Sequence, residues 1–485
     1  MCNEPSKKNS IEQVKLLHSR YNPQAEADRY IASLSPDENI RFFILIEPGL
    51  GYITATLKKK FPSAKIIALH VENPDEEVLI EKPHVYWHFQ AGMSIQDFLE
   101  REIPDSKAAG IRLLEWRPAM SLYGEAYLSL VKETTEFIKR ADANARTFET
   151  FGPIWFRNFF KNLDIIKNIL YLPQREAASL KHDAAATMSA TMPAPFSSPV
   201  LVTGAGPGLE DAVPLIREKR DCLFILACSS SLPALTSGNI FPDLVISTDG
   251  TAWAKFHLYE LFRIRQNFPL AEALTAALPS QCQSVSVLPI CDGSLWQTLI
   301  LSELKIPFIT LPPRGTVSAS ALDLAFALSR AEVFLAGIDL TNSDIRSHAR
   351  PYSLDRFMEE KAGRKNPTYS SVYKRSSLLK SGGAYGIYAA WFKKQLSSYP
   401  GPLYSIGKNS GVFSAASAAS ENRSEDIFKR LGARKARIAF QSFASKGSLS
   451  EAAYTILENA LKNSPYREAL KKELKPLGFL EKSDG

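Results

Sequence analysis

At 485 residues, with 45% hydrophobic and 22% charged side chains, the chain has the composition of an ordinary globular protein long enough for two or three domains. A net charge of +7 suits an anionic small molecule or an acidic partner and makes no case for nucleic acid. Five scattered cysteines, Cys2, Cys222, Cys228, Cys282 and Cys291, argue against a disulfide framework and a C-x-x-C zinc site, and no run of about 18 apolar residues offers a membrane span. The start of the chain lacks an apolar signal segment, so a cytoplasmic location is expected.

Residues 1 to 150 are expected to hold a Rossmann-like α/β domain: a strand over Phe42 to Ile46, a Gly49-Leu50-Gly51 turn, a helix over Tyr52 to Lys60, and a strand over Lys65 to His70. The unit resembles the first motif of S-adenosylmethionine methyltransferases, with Glu47 before the loop and Glu72 placed for a ribose. A third glycine is missing, so a structural or partner-binding role outweighs nucleotide binding. Ile111 to Trp116 reads as another strand, and Tyr123, Tyr127, Leu130 and Phe137 recur at helical spacing as core. Residues 151 to 198 read as a connecting helix rich in aromatics and asparagine (Trp155, Asn158, Asn162), which would pack between domains, followed by an Ala/Ser/Pro linker.

Residues 199 to 415 carry the expected active domain. An apolar strand over Val200 to Thr203 runs into Gly204-Ala205-Gly206-Pro207-Gly208 and then an amphipathic helix, a strand to Cys228, Ser229-Ser230-Ser231, and a strand leading to Asp249. A glycine loop between a strand and a helix presents backbone N–H groups to an anion, where the helix dipole favours negative charge. The loop is not G-x-G-x-x-G, and no acid ends the second strand, which argues against a dinucleotide. Lys255 to Pro279 reads as helix and then loop, and strands follow over Ser284 to Ile290 and Pro307 to Leu311. Arg314-Gly315 leads to a helix from Val317 to Leu328 with Thr316, Ser318 and Ser320 in its first turn, able to bond a phosphate or simply to cap the helix. Glu332 to Ala336 is a further strand ending in Gly337-Ile338-Asp339, and a polar loop with His348 comes next. A turn and helix from Ser381 and a last strand over Pro402 to Ile406 close the domain, and Lys408 to Gly411 follow. Alternating strands and helices imply a doubly wound, mostly parallel Rossmann-like sheet that gathers these polar strand ends on one edge. Residues 416 to 485 read as a helical region, in which Lys429, Arg430, Arg434, Lys435 and Arg437 form a solvated basic face or a docking surface for an acidic partner.

The segments GAGPGL, FPDLVISTD, Arg314 to Ala325, Glu332 to Thr341 and His348, with the opening His18 to Tyr30, resemble the Maf family of motility-associated glycosyltransferases. That family shares its central domain with MptE-like 6-hydroxymethylpterin diphosphokinases, and a more distant likeness runs to sialyltransferases that use CMP-activated sugars. Two positions depart from the pattern. Arg314 stands where the family has glycine, and Lys408 to Gly411 lacks an acid and a glycine.

The resemblance implies a sialyltransferase-like glycosyltransferase that moves a nonulosonic acid (pseudaminic, legionaminic or sialic type) from a CMP-activated donor to Ser/Thr hydroxyls of flagellin. It implies that Thr203, Gly204, Gly206, Pro207, Gly208, Ser229, Ser230, Asp249, Arg314, Gly315, Thr316 and Ser318 bind the nucleotide. His348 would be the general base, since an imidazole titrates near ~6.5, with Asp339 as an alternative and Asp249 beside them. No metal or cofactor is obligatory for a CMP leaving group, although Asp249 and Asp339 would hold Mg²⁺ for a nucleoside di- or triphosphate. The rivals are an ATP-dependent pterin diphosphokinase, a flagellin-binding scaffold without turnover, and methyl transfer at Gly49 to Gly51.

Overall fold

The computed structural model describes residues 17–34, 40–103, 110–172, 197–264, 268–340, 348–367, 388, 392, 401–407, 418–432, 440–445 and 447–479. Most of the Ala/Ser/Pro linker, the Ser381 turn, Lys408 to Gly411 and the Arg434, Lys435 and Arg437 group lie outside the described residues. The chain divides into two compact units, Met1–Gly152 and Pro153–Gly485.

The first unit is built on a four-stranded parallel sheet. Its elements are α1 (Pro23–Ser33), β1 (Phe42–Ile46), α2 (Tyr52–Lys60), β2 (Lys65–His70), β3 (Val85–His88), α3 (Ile95–Glu102), β4 (Ile111–Glu115) and the start of α4 (Met120–Ile165), with strand order β3-β2-β1-β4. Every side chain of β1 is buried, which is why this run carries five apolar residues without alternation. Asn22 caps α1 by accepting the Ala25 N–H at 2.9 Å, and Pro23 begins the helix where no N–H is needed. Tyr127, Leu130 and Phe137 of α4 are buried in this core, as their spacing predicts. Gly124 breaks the helical dihedrals of α4 near its start, with φ 48 and ψ −119.

The second unit is doubly wound around a ten-stranded sheet. Its strands are β5 (Asn168–Tyr171), β6 (Val200–Thr203), β7 (Phe224–Cys228), β8 (Leu244–Ser247), β9 (Leu270–Ala273), β10 (Ser286–Cys291), β11 (Ile309–Thr310), β12 (Val333–Ala336), β13 (Leu403–Ser405) and β14 (Gln441–Ala444). The order is β13-β12-β6-β7-β8-β9-β10-β5-β14, with β11 beside β10; all pairs are parallel except β14 with β5. The helices are the last residues of α4, then α5 (Gly208–Glu218), α6 (Leu232–Ser237), α7 (Ala254–Arg263), α8 (Leu295–Glu303), α9 (Val317–Leu328), α10 (Asp355–Glu360), α11 (Ala418–Lys429), α12 (Leu449–Asn463) and α13 (Arg467–Leu474). Alternate residues of each strand feed two cores. Leu201, Ile225, Val245 and Leu270 face the core shared with α4, α5, α7 and α8, while Val202, Leu226, Ile246 and Ala271 face the one shared with α9.

Three expectations change here. The stretch after α7, read as a loop, contains β9, a short strand disguised by an acid at its third position. The segment read as connecting helix and linker supplies β5, and the region read as helical supplies β14, so the central sheet draws strands from both sides of the 199–415 stretch. The aromatic face of α4 packs within the second unit itself. Phe156, Phe159, Phe160 and Leu163 lie in its core, and Tyr454 of α12 stacks on Phe160 with ring centroids 3.9 Å apart. Asn158 and Asn162 donate to the carbonyls of Gly250, Leu274, Thr275 and Ala276, tying α4 to the turns after β8 and β9. The asparagines recur every fourth residue because both serve one helix face.

Candidate nucleotide site at the sheet switch point

From β6 the chain steps to β7, β8, β9 and β10 in one direction, and β12 then returns to the opposite side of β6. The crevice outside the carboxyl ends of β6 and β12 is therefore the topological switch point, where open α/β sheets bind ligands. The glycine loop leaves β6 at this place and Gly337-Ile338-Asp339 leaves β12 opposite it. The two turns are laced together. The Gly204 N–H donates to Ala336 O at 2.8 Å, the Gly206 N–H to Gly337 O at 2.7 Å, and the Gly208 N–H to Asp339 Oδ2 at 2.6 Å. Contact is close enough to demand glycine: a Cβ on Gly206 would stand 2.6 Å from Asp339 Oδ2 and 2.7 Å from Gly337 O.

This lacing changes the picture of an open amide cradle. Three of the loop's N–H groups are already bonded, and Pro207 has none; among the described residues only the Ala205 N–H stays outside the network. Asp339 is 3% exposed and places its carboxylate at the start of α5, where the helix dipole welcomes an anion. Burial nevertheless pushes its pKa up to about 7, with the Gly208 amide opposing the rise and Asp211 adding to it. The first turn of α5 thus meets an internal carboxyl that exchanges its proton near neutrality.

The segment after β12 comes back to the same loop. The Ala349 N–H donates to Ala205 O at 2.8 Å and the Arg350 N–H to Glu210 Oε1 at 2.8 Å, so His348 stands next to a residue pinned on the glycine loop. Its ring lies flat on Tyr352, 4.0 Å away and 4° from parallel. Tyr352 also meets His257 of α7 at 5.3 Å, and the charge of Asp249 acts on His257. His348, Asp249 and the loop are therefore neighbours through Tyr352 and His257, two residues that the sequence reading did not single out.

Asp249 follows β8 in a tight turn, its Oδ1 accepting the Thr251 N–H at 2.8 Å and its Oδ2 the Thr251 hydroxyl at 3.0 Å. Ser229 is buried, and Thr203 and Ser231 are fully buried with their hydroxyls bonded to each other at 2.9 Å. Ser230 is the member of the serine triplet that is only partly covered. Thr316 caps α9, accepting the Ala319 N–H at 3.1 Å, with the Ser318 hydroxyl 3.4 Å from it. Arg314 is held by Asp323, which accepts from Nε at 2.6 Å and from a terminal nitrogen at 3.3 Å. Gly315 lies under Tyr388, whose ring a Cβ would approach to 2.9 Å. Asp249 and Asp339 each accept internal hydrogen bonds, which carboxylate ligands of a metal also do. Among the described residues no group of three His, Cys, Asp or Glu side chains is placed to hold a metal ion.

A second buried acid escaped the sequence reading. Glu272 of β9 is fully buried and pairs in register with Ser247 of β8. Burial, opposed by the Ser247 hydroxyl and reinforced by the charge of Asp249, raises its pKa well above the ordinary carboxyl value and favours the neutral acid in the folded protein. A group raised in this way adds stability below its unfolded pKa, about 4.3, that is lost as pH rises toward its folded pKa. Glu272→Gln removes that loss. In urea unfolding the variant is expected to gain on the wild type between pH 5 and pH 8, and an equal difference at both pH values would contradict the neutral buried acid.

The glycine turn of the first unit is filled from within. Leu50 donates its N–H to His18 Nε2 at 2.9 Å, a Cβ on Gly49 would fall 2.2 Å from that nitrogen, and one on Gly51 would fall 2.3 Å from Glu81 O. Burial lowers the pKa of His18, which suits a neutral ring accepting that N–H. Glu47 is buried and accepts the Val71 N–H, while Glu72 is exposed.

The second unit is thus an α/β domain of the doubly wound class with its topological switch point between β6 and β12. Its residues 164–344 match the family described as 6-hydroxymethylpterin diphosphokinase MptE-like, so the chain carries an MptE-like region. Among curated proteins it is similar to uncharacterized proteins of Treponema pallidum (strain Nichols). One is 29% identical over 265 residues, covering 54% of this chain and 54% of that protein; another is 26% identical over 137 residues, covering 28% and 55%. The chain spans about half the length of these relatives. Among solved structures it is similar to the Maf glycosyltransferase from Magnetospirillum magneticum AMB-1, with 16% identity and a TM-score of 0.41 over 70% of this chain and 57% of that one. No helix among the described residues is long and apolar enough to cross a membrane.

Proposed function

We propose that the chain is a glycosyltransferase whose second unit binds a CMP-activated nonulosonic acid at the β6/β12 switch point and passes the sugar to Ser/Thr hydroxyls of flagellin. The observation that carries the reading is the convergence at one edge: the Gly204–Gly208 loop braced on Asp339, the His348–Arg350 segment bonded to that loop, and Asp249 joined to them through His257 and Tyr352. The choice of CMP-sugar and flagellin rests on the motif resemblance in GAGPGL, FPDLVISTD and Gly337-Ile338-Asp339. In the reaction the bond between the anomeric carbon and the phosphate oxygen breaks with its electron pair on the phosphate, and the acceptor oxygen bonds the carbon as it loses its proton. The chain must hold the nucleotide, favour the departing anion and accept that proton. The start of α5 and the Ala205 N–H would serve the anion, and an imidazole beside Tyr352 the proton.

The test is to incubate the protein with CMP-activated nonulosonic acids and flagellin and weigh the flagellin by mass spectrometry. A mass increase equal to one or more sugar residues supports the reading, and unmodified flagellin with every donor opposes it. A second reading, an ATP-dependent pterin diphosphokinase, is favoured by the family description matched by residues 164–344. It requires consumption of 6-hydroxymethylpterin with ATP and Mg²⁺, measured on the same protein.

A further inference from the structure

We propose that His257 is the base that takes the proton of the attacking hydroxyl, an inference that rests on the transferase reading above. His257 projects from α7, which follows the Asp249 turn, and its ring meets Tyr352 at 5.3 Å, tilted by 40°. Tyr352 in turn lies on His348, and the residue after His348 is bonded to the glycine loop. One tyrosine thus gathers two imidazoles beside the loop. Their surroundings differ in a way that bears on the chemistry.

His257 is partly exposed, yet its Nδ1 is enclosed and has no hydrogen-bond partner among the described residues. Enclosure of Nδ1 leaves Nε2 as the nitrogen on the open side. Burial lowers its pKa to about 4 against the smaller, opposing pull of the Asp249 carboxylate, so the ring is neutral at pH 7 with a lone pair to offer. The groups around it are Asp249, Tyr352 and, beyond the tyrosine, His348, while Lys255 stands on the same helix.

The step balances without a further reactant. The acceptor oxygen forms its bond to the anomeric carbon, the carbon–oxygen bond to CMP breaks with its electron pair on the phosphate, and the hydroxyl proton moves to His257 Nε2. The charge of Asp249 acts on His257 and favours the imidazolium so formed, which assigns Asp249 the stabilisation of that transient charge. His257→Gln keeps a polar side chain of similar size and removes the base.

The test uses the full chain with CMP and CMP-N-acetylneuraminic acid as probes. His257→Gln is expected to bind CMP within about threefold of the wild type and to release CMP from the sugar nucleotide roughly 100-fold more slowly or worse. CMP binding with unchanged turnover overturns the proposal alone, whereas a wild type that binds no CMP overturns the transferase reading and the proposal together. If the wild type binds this donor without consuming it, or the variant fails to fold, ¹⁵N NMR of the wild-type imidazoles decides. The His257 Nε2 resonance is expected to move on saturation with the donor, and a stationary resonance overturns the proposal.

Discussion

Gly337→Ala is expected to lower the stability of the second unit by about 3 kcal/mol, seen as a fall of roughly 6 °C or more in its thermal midpoint. Two costs add. Gly337 has φ +65, a left-handed conformation that an alanine adopts at a cost of about 1–2 kcal/mol. Its missing Cβ would also stand 2.5 Å from Gly204 O and 2.8 Å from Leu209 Cβ, so the two turns that define the switch point would have to separate. Backbone on one side and a packed helix on the other leave no flexible side chain to give way. Gly363→Ala is the matched control, since a Cβ there meets nothing within 4 Å and the expected change is within about 0.5 kcal/mol. Equal midpoints for the two variants would contradict the close crossing of the loops.

Asp339→Asn is expected to change both stability and nucleotide affinity, and each change has a pH signature. Asp339 has its pKa raised by burial to about 7, above the roughly 3.9 of an unfolded aspartate. A raised carboxyl contributes stability that is fully present below the unfolded pKa and is lost as pH rises through the folded one. Three units of separation correspond to about 4 kcal/mol as an upper bound. Asparagine keeps an oxygen to accept the Gly208 N–H without the buried charge. The variant should therefore match the wild type near pH 4 and exceed it above pH 7. The same carboxylate stands at the helix start where a ligand phosphate would come, so removing it is expected to tighten CMP binding about tenfold at pH 8 and far less at pH 6. Titration calorimetry at the two pH values checks this, and weaker binding by the variant at pH 8 would contradict it.

How far the sequence reaches is visible in these residues. Apolar runs marked β1, β2, β4, β6, β7, β8, β10 and β12 within about two residues, because buried parallel strands need nothing but apolar side chains. The same rule hid β9, where Glu272 interrupts four residues, and gave no sign that Asn168–Tyr171 and Gln441–Ala444 close one edge of the sheet. Pairing between segments so distant in sequence leaves no local pattern. At the site, the glycine loop, Asp249, Asp339 and His348 were legible as motif positions, but their bonding was not. The partner of the Gly208 amide lies 131 residues away, and the Arg314 guanidinium, marked for a phosphate, is engaged with Asp323 nine residues further on. His257 sits inside an amphipathic helix whose pattern gives it no distinction; only the Tyr352 ring and the charge of Asp249 do so.

The central claim is that the switch-point edge of the second unit holds a CMP-sugar. Calorimetric titration of the wild type with CMP, and with ATP in the presence and absence of Mg²⁺, addresses it most directly. Saturable CMP binding that needs no metal, lost in a Gly206→Asp variant whose folding is verified by its circular dichroism spectrum, is the predicted result. Preference for ATP with Mg²⁺, or CMP binding unaffected by that substitution, would contradict it.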